Sequence, residues 1–105
     1  MKVSLKVLGG FCLAAFMCTP AFAQGGADTY KAKCLMCHGA DGLGATPVGK
    51  SLKIVSFKDL PVVKSSNAEL EAIVKNGKNK MPAFKGKLSD AQIGEVVKYI
   101  RTLQK

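Results

Sequence analysis

Five consecutive residues combine two thiols with an imidazole: Cys34-Leu35-Met36-Cys37-His38. Cysteines three positions apart near a helix end can reach both vinyl groups on one edge of a porphyrin, and the next residue can bring its imidazole under the iron. The spacing C-x-x-C-H is therefore typical of covalent c-type haem attachment. The sequence predicts thioether bonds at Cys34 and Cys37 and iron ligation by His38, which is the single histidine of the chain.

The same two cysteines could serve three other kinds of site. A thioredoxin-type C-x-x-C expects a βαβ setting, and no strand pattern of that kind surrounds this motif. A zinc site needs a fourth nitrogen, thiolate or carboxylate ligand, and no further Cys or His follows residue 23 apart from this motif. A plain disulfide is the third alternative. We favour haem because the complete C-x-x-C-H run is its signature.

Met81 is the predicted second ligand of the iron. Of the methionines after residue 23, Met36 is confined between the attachment cysteines, whereas Met81 lies in a loop between two predicted helices. A long unbranched thioether can swing over the ring from such a loop, and Pro82 commits Met81 to an extended backbone. A His/Met pair favours ferrous iron and raises the reduction potential relative to His alone. Core filling is the alternative role for this methionine.

The first 23 residues are typical of a cleaved secretory signal peptide. Residues 1–6 are short and basic, the stretch that follows is uncharged and mostly apolar, and Ala21-Phe22-Ala23 is an A-x-A site. We expect cleavage after Ala23, one domain at residues 24–105 and, in a Gram-negative bacterium, a periplasmic location. An uncleaved anchor would need roughly 20 apolar residues, which is longer than this stretch. Lipidation at Cys18 is not expected, because the leucine and small residues that should precede a lipidated cysteine are absent.

The chain is strongly basic, with 16 Lys and Arg against 7 Asp and Glu and a formal net charge of +9. Export, dispersed lysines and the absence of Trp argue against nucleic acid as the partner. Lysines that flank Met81 would instead steer a monomer, without stable membrane insertion, toward redox partners with acidic docking surfaces. A basic surface kept for solubility is the alternative. These lysines are Lys78, Lys80, Lys85 and Lys87.

Caps and apolar periodicity mark the helices that must position these residues. We expect a first helix at 28–36, a turn-rich loop at 39–51, and irregular structure with one helical turn at 52–63. Ser66-Asn67-Ala68-Glu69 and Ser89-Asp90-Ala91-Gln92 are capping boxes, each followed by an apolar stripe. Gly77 can end the first of these two helices in a left-handed conformation. The fold is predicted to be all-α.

With these motifs in place, the chain from about residue 26 to 103 resembles the class I cytochromes c, and within them the small proteins of the c6 type. The resemblance rests on C-x-x-C-H, on Lys80-Met81-Pro82-Ala83-Phe84, and on residues 88–93 leading into Val97-Lys98-Tyr99-Ile100. It implies an all-α fold of three to five helices wrapped around one covalently attached haem. It also implies an electron-transfer protein rather than an enzyme.

Two finer expectations come from this resemblance. A backbone carbonyl near the loop proline, here that of Pro47, should accept the N–H of His38. The first and last helices should also cross beside the haem. The residues expected to meet there are Gly26 and Tyr30 with Val96 and Tyr99. A six-coordinate iron has no open position for substrate, whereas a peroxidase or gas-binding protein would need Met81 to stay away from the iron.

Overall fold

A computed structural model describes residues 22–105, and the fold there is helical. In chain order the helices are α1 Phe22–Lys33, α2 Leu35–His38, α3 Pro47–Leu52, α4 Leu60–Lys64, α5 Asn67–Asn76 and α6 Asp90–Leu103. Strand-like pairing within the described range is limited to two isolated bridges. The all-α prediction is confirmed. The helices number one more than the upper end of the expected range, because a break at Cys34 separates α1 from α2.

Helix α1 begins at Phe22 and ends at Lys33, earlier at both ends than the predicted 28–36. Gly25 and Gly26 have low helix propensity, and packing against α6 overrides it. At the other end Cys34 leaves helical geometry, with φ −120° and ψ −26°. Residues 1–21, which hold nearly all of the predicted leader, lie outside the described residues. Among residues 22–105 no helix has the length and apolar character needed to cross a membrane.

The crossing of α1 and α6 is the main helix contact of the fold. A side-chain carbon on Gly26 would overlap the backbone carbonyl of Glu95, so this glycine lets the helix axes approach closely. One turn further along, the rings of Tyr30 and Tyr99 lie 5.2 Å apart between centroids, and Val96 is fully buried beside them. The crossing expected from the family resemblance is thus confirmed.

Two apolar clusters form the core of the described chain. The first contains Tyr30, Phe57, Val96 and Ile100, and the second contains Val74, Phe84, Leu88 and Ile93. Helix α6 contributes to both, because its predicted apolar stripe is buried along its length. Met81 packs against the second cluster.

Both predicted capping boxes are present. The Ser66 hydroxyl accepts from the Glu69 N–H at 3.1 Å, and the Glu69 carboxylate accepts from the Ser66 N–H at 2.7 Å. This backbone hydrogen bond lowers the pKa of the Glu69 carboxyl. Ser89 and Gln92 form the same reciprocal pair at the start of α6. Gly77 ends α5 with the positive φ that the sequence predicted, +78°, but its ψ of 167° lies outside the left-handed helical conformation.

The segment 39–51 departs from its predicted secondary structure. From Pro47 onward the loop prediction was wrong, because α3 begins there with proline in its first turn and Thr46 as N-cap. The Thr46 hydroxyl accepts a hydrogen bond from the Gly49 N–H at 2.9 Å, and the fixed φ of proline suits this position. The irregular stretch predicted for 52–63 is found, and its single helical turn is the start of α4.

Arg101 ties the last helix to the segment that joins α4 and α5. Its Nε donates to the Asn67 side-chain oxygen at 2.8 Å. Its two terminal nitrogens donate to the backbone carbonyls of Val62, at 3.4 Å, and Ser65. A further bond reaches the Gln104 side-chain oxygen at 3.1 Å. One guanidinium therefore holds the α4–α5 connection against α6 through its fixed fork of donors.

Candidate functional site

A cavity of about 560 Å³ opens beside the C-x-x-C-H turn, a volume in the usual range for cofactor pockets. All four predicted site residues line it: Cys34, Cys37, His38 and Met81. The rest of the wall is mostly apolar. Its apolar members are Leu52, Ile54, Val55, Phe57, Pro61, Val62, Leu70, Ile73, Val74, Pro82, Phe84 and Ile100.

The turn of α2 places both thiols and the imidazole toward the cavity. The His38 N–H donates to the Cys34 carbonyl at 3.0 Å, and the Gly44 N–H donates to the His38 carbonyl at 2.9 Å. The residue between the cysteines, Met36, is 75% exposed and does not line the cavity. The sequence-based exclusion of Met36 as a ligand agrees with this placement.

Helix α3 braces the attachment turn from behind. The Thr46 hydroxyl donates to the Cys37 carbonyl at 3.0 Å while it accepts from the Gly49 N–H. A side-chain carbon on Gly49 would overlap the Cys37 carbonyl. The short helix therefore needs glycine at this point to lie directly against the turn that carries the thiols.

The ring of His38 stacks on the ring of Phe57, with 4.6 Å between centroids and 23° between planes. The Nδ1 atom of His38 is buried and has no hydrogen-bond partner among the described residues. The predicted bond from His38 to the Pro47 carbonyl is therefore absent. Pro47 instead opens α3, so its backbone is part of a helix and not of the predicted loop. Burial lowers the pKa of His38, which favours the neutral imidazole that binds metals.

The thiol chemistry of this site disfavours the other uses of a C-x-x-C pair. Burial, followed by the neighbouring Cys37, raises the pKa of the Cys34 thiol to about 11, whereas redox-active C-x-x-C thiols have a depressed pKa. Cys34 and Cys37 are not joined to each other in the structure. Within the described range no three His, Cys, Asp or Glu side chains come together as a metal cluster.

Met81 reaches the cavity from a tightly closed loop. Lys78 and Met81 exchange two backbone hydrogen bonds, at 3.1 and 2.9 Å, around Asn79 with φ +55°. After Pro82 the chain returns to α5, where the Phe84 N–H donates to the Val74 carbonyl at 3.0 Å. Met81 packs against the second cluster, while His38 stacks on Phe57 of the first. A soft sulfur and an imidazole, both of which can ligate haem iron, therefore reach the cavity from separate clusters.

Sequence reasoning treated Tyr30 as a packing residue and overlooked its polar role. Its hydroxyl donates to the carbonyl of Gly39, directly after the C-x-x-C-H run, at 2.6 Å. Burial raises the pKa of Tyr30 well above its usual range, so the phenol remains a donor. Phe57 and Thr46 were also missed. For Thr46 a signal existed, because threonine before proline is a common helix start.

Comparison with known proteins points in one direction. Residues 21–100 match the family model described as Cytochrome C oxidase, cbb3-type, subunit III. The cytochrome c6 of a Synechococcus species is 38% identical over 105 residues, covering 95% of this chain and 91% of that protein. The cytochrome c6 of Porphyra purpurea is also 38% identical, over 109 residues, covering 95% of this chain and 93% of that protein.

A solved structure extends the likeness to the fold. The c-type cytochrome KustC0563 superposes with a TM-score of 0.69 at 29% sequence identity, covering 76% of this chain and 98% of that one. The protein is accordingly an electron-transfer protein that holds haem c, with its iron, covalently. With relatives at this identity over nearly all of its length, and with the same helical fold, the chain belongs to the class I c-type cytochromes.

Proposed function

We propose that this chain is a periplasmic carrier of single electrons, with one haem joined to Cys34 and Cys37 and ligated by His38 and Met81. The mature domain is residues 24–105, and residues 1–23 are removed on export. The haem iron supplies the one-electron couple. The observation that carries the proposal is the meeting of two thiols, an imidazole and a thioether in one apolar cavity.

Each of these side chains has a distinct task in this proposal. Cys34 and Cys37 hold the porphyrin edge through the helical turn that α3 braces. His38 presents a neutral ring, and Met81 presents a sulfur that prefers the ferrous state. With both residues ligating the iron, its coordination would change little between its two charge states. The two backbone hydrogen bonds between Lys78 and Met81 suit Met81 to the role of iron ligand, since they limit movement of the loop that carries its sulfur.

The first prediction concerns Met81. The protein is produced in cells that mature c-type haem, and its optical spectrum is recorded oxidised and reduced beside Met81→Ala. We expect a sharp low-spin reduced spectrum and a weak deep-red band of the ferric form, and we expect the variant to lose that band. The intact mass should equal residues 24–105 plus one haem.

Met36→Ala is the matched control, because its side chain lies outside the cavity; its spectrum should equal that of the parent. High-spin features in the parent, or rapid carbon monoxide binding by its reduced form, would show an open iron. The peroxidase or gas-binding interpretation would then replace the carrier.

We also propose that acidic redox partners dock over the cavity mouth. Among residues 22–105, the cavity is lined by four lysines and by no acidic side chain; the lysines are Lys33, Lys53, Lys78 and Lys80. All four are exposed, and neither ion pair found among residues 22–105 involves them. Lys85 and Lys87, expected from sequence to belong to this ring, are not lining residues. Clustered positive charge at the point of electron exit favours fast, salt-sensitive association.

The second prediction tests this charge with two double variants of equal net charge. Ferricyanide should oxidise the reduced Lys78→Gln/Lys80→Gln protein about threefold more slowly than the parent at low ionic strength, because local charge steers the anion. Lys85→Gln/Lys87→Gln should change the rate much less. The difference should vanish in salt, where the Debye length falls to about 3 Å at 1 M. Equal slowing in both variants would mean that only total charge matters.

A further inference from the structure

We propose that Phe57 is a positioning residue for the iron ligand His38: its ring fixes the plane of the imidazole and covers one face of it with apolar surface, which raises the reduction potential. The inference rests on the proposed function, because it takes His38 as the iron ligand. It concerns a contact between residues far apart in sequence, which the C-x-x-C-H motif does not include.

The rings of His38 and Phe57 are stacked. Their centroids are 4.6 Å apart, their planes differ by 23°, and Phe57 is only 8% exposed. No hydrogen bond from a described residue orients the imidazole through Nδ1. In metal sites a histidine is ordinarily oriented by a carboxylate, carbonyl or water at its second nitrogen. Here the flat face of Phe57 is the contact that can define the ring plane.

Phe57 is itself held from several directions, as a positioning residue must be. Its N–H donates to the Gly42 carbonyl at 2.9 Å, and its carbonyl accepts from the Gln104 side-chain nitrogen at 3.0 Å. The edge of its ring meets Tyr30, with 6.3 Å between centroids and 63° between planes. The backbone and ring of Phe57 are thus held by Gly42 in the loop after α2, by Tyr30 of α1 and by Gln104 at the end of α6.

The direction of the effect follows from the chemistry of imidazole. A hydrogen-bond acceptor at Nδ1 makes histidine a stronger donor and stabilises the more positive ferric iron, and an apolar neighbour that excludes water has the opposite effect. A buried site of low dielectric also disfavours the state with the greater charge. Phe57 should therefore shift the equilibrium toward ferrous iron, in the same direction as a methionine ligand.

The test compares Phe57→Ala, Phe57→Leu and Phe57→Tyr with the parent holoprotein. We expect Phe57→Ala to shift the reduction equilibrium about tenfold toward ferric iron, which is about 59 mV for one electron. The paramagnetically shifted haem methyl resonances, whose spread reports the imidazole plane, should change in both Phe57→Ala and Phe57→Leu. Phe57→Tyr keeps a flat ring and should stay close to the parent in both measurements.

Tyr99→Leu is the matched control, because it removes an aromatic ring packed on the same cluster that neither stacks on His38 nor lines the cavity. It should lower the melting temperature without changing potential or methyl spread. If the Phe57 variants behave like Tyr99→Leu, the inference is overturned. Should Phe57→Ala fail to fold, the methyl spread of Phe57→Leu decides in the same way. A parent without low-spin His-ligated iron would overturn the proposed function as well, and this is visible before any Phe57 variant is made.

Discussion

Replacing Gly26 by alanine should lower the free energy of unfolding by about 2 kcal/mol, the middle of the range for an overpacked core. The added carbon would overlap the backbone carbonyl of Glu95, which cannot rotate away as a side chain could. The helices must therefore separate, and the packing of Tyr30 on Val96 loosens with them. Alanine favours the helix over glycine by about 1 kcal/mol. The measured loss of stability is therefore the steric cost of the overlap minus this gain.

The neighbouring glycine provides the control. A side-chain carbon on Gly25 would meet no atom of the described residues within 4 Å, so Gly25→Ala should be neutral or stabilising by up to about 1 kcal/mol. Chemical denaturation of the two holoproteins gives both values. If Gly26→Ala proved as stable as Gly25→Ala, the close approach of α1 and α6 described above would be wrong.

Replacing Arg101 by methionine should also cost about 2 kcal/mol, within the range for hydrogen bonds made by a charged group. Methionine keeps much of the apolar stem but none of the donors, so the carbonyls of Val62 and Ser65 lose their bonds. Both of those residues line the cavity. The loss should therefore appear in the thermal midpoint and also in faster solvent exchange of amides in the α4–α5 connection.

Lys98→Met is the corresponding control on the same helix. Lys98 is exposed and its ion pair with Glu95 spans 3.3 Å, a kind of contact worth about 0.5 kcal/mol or less. Arg101→Lys should recover only part of the stability, because an ammonium cannot reproduce the fork of donors. Equal stability of Arg101→Met and Lys98→Met would show that the Arg101 hydrogen bonds contribute nothing measurable.

The parts of the fold that sequence predicted well are those encoded by neighbouring residues. The Ser66 and Ser89 capping boxes need residues only three positions apart, and the stripe of α6 repeats every helical turn. The start of α1 could not be predicted in this way, because the low propensity of Gly25 and Gly26 is overridden by α6, which lies at the far end of the chain.

The candidate site likewise divides into residues that a local motif predicts and contacts between residues far apart in sequence. The motif identified two thiols and an imidazole, and Met81 was found by elimination among the methionines. The stack of Phe57 on His38 joins the connection between α3 and α4 to the end of α2, and no local pattern predicts it. The prediction about the lysines that flank Met81 was only partly right. Lys78 and Lys80 line the cavity, but the Phe84 hydrogen bond to Val74 turns the chain back to α5 before Lys85 and Lys87. The Pro47 carbonyl was misassigned because α3 was not foreseen.

The contact of α1 with α6 also determines the order in which the molecule can be completed. Joining the two ends means closing nearly the whole described length, an entropic cost that only the finished helix pair offsets. We therefore expect α1 and α6 to pair late in folding, after the local helices and their caps have formed.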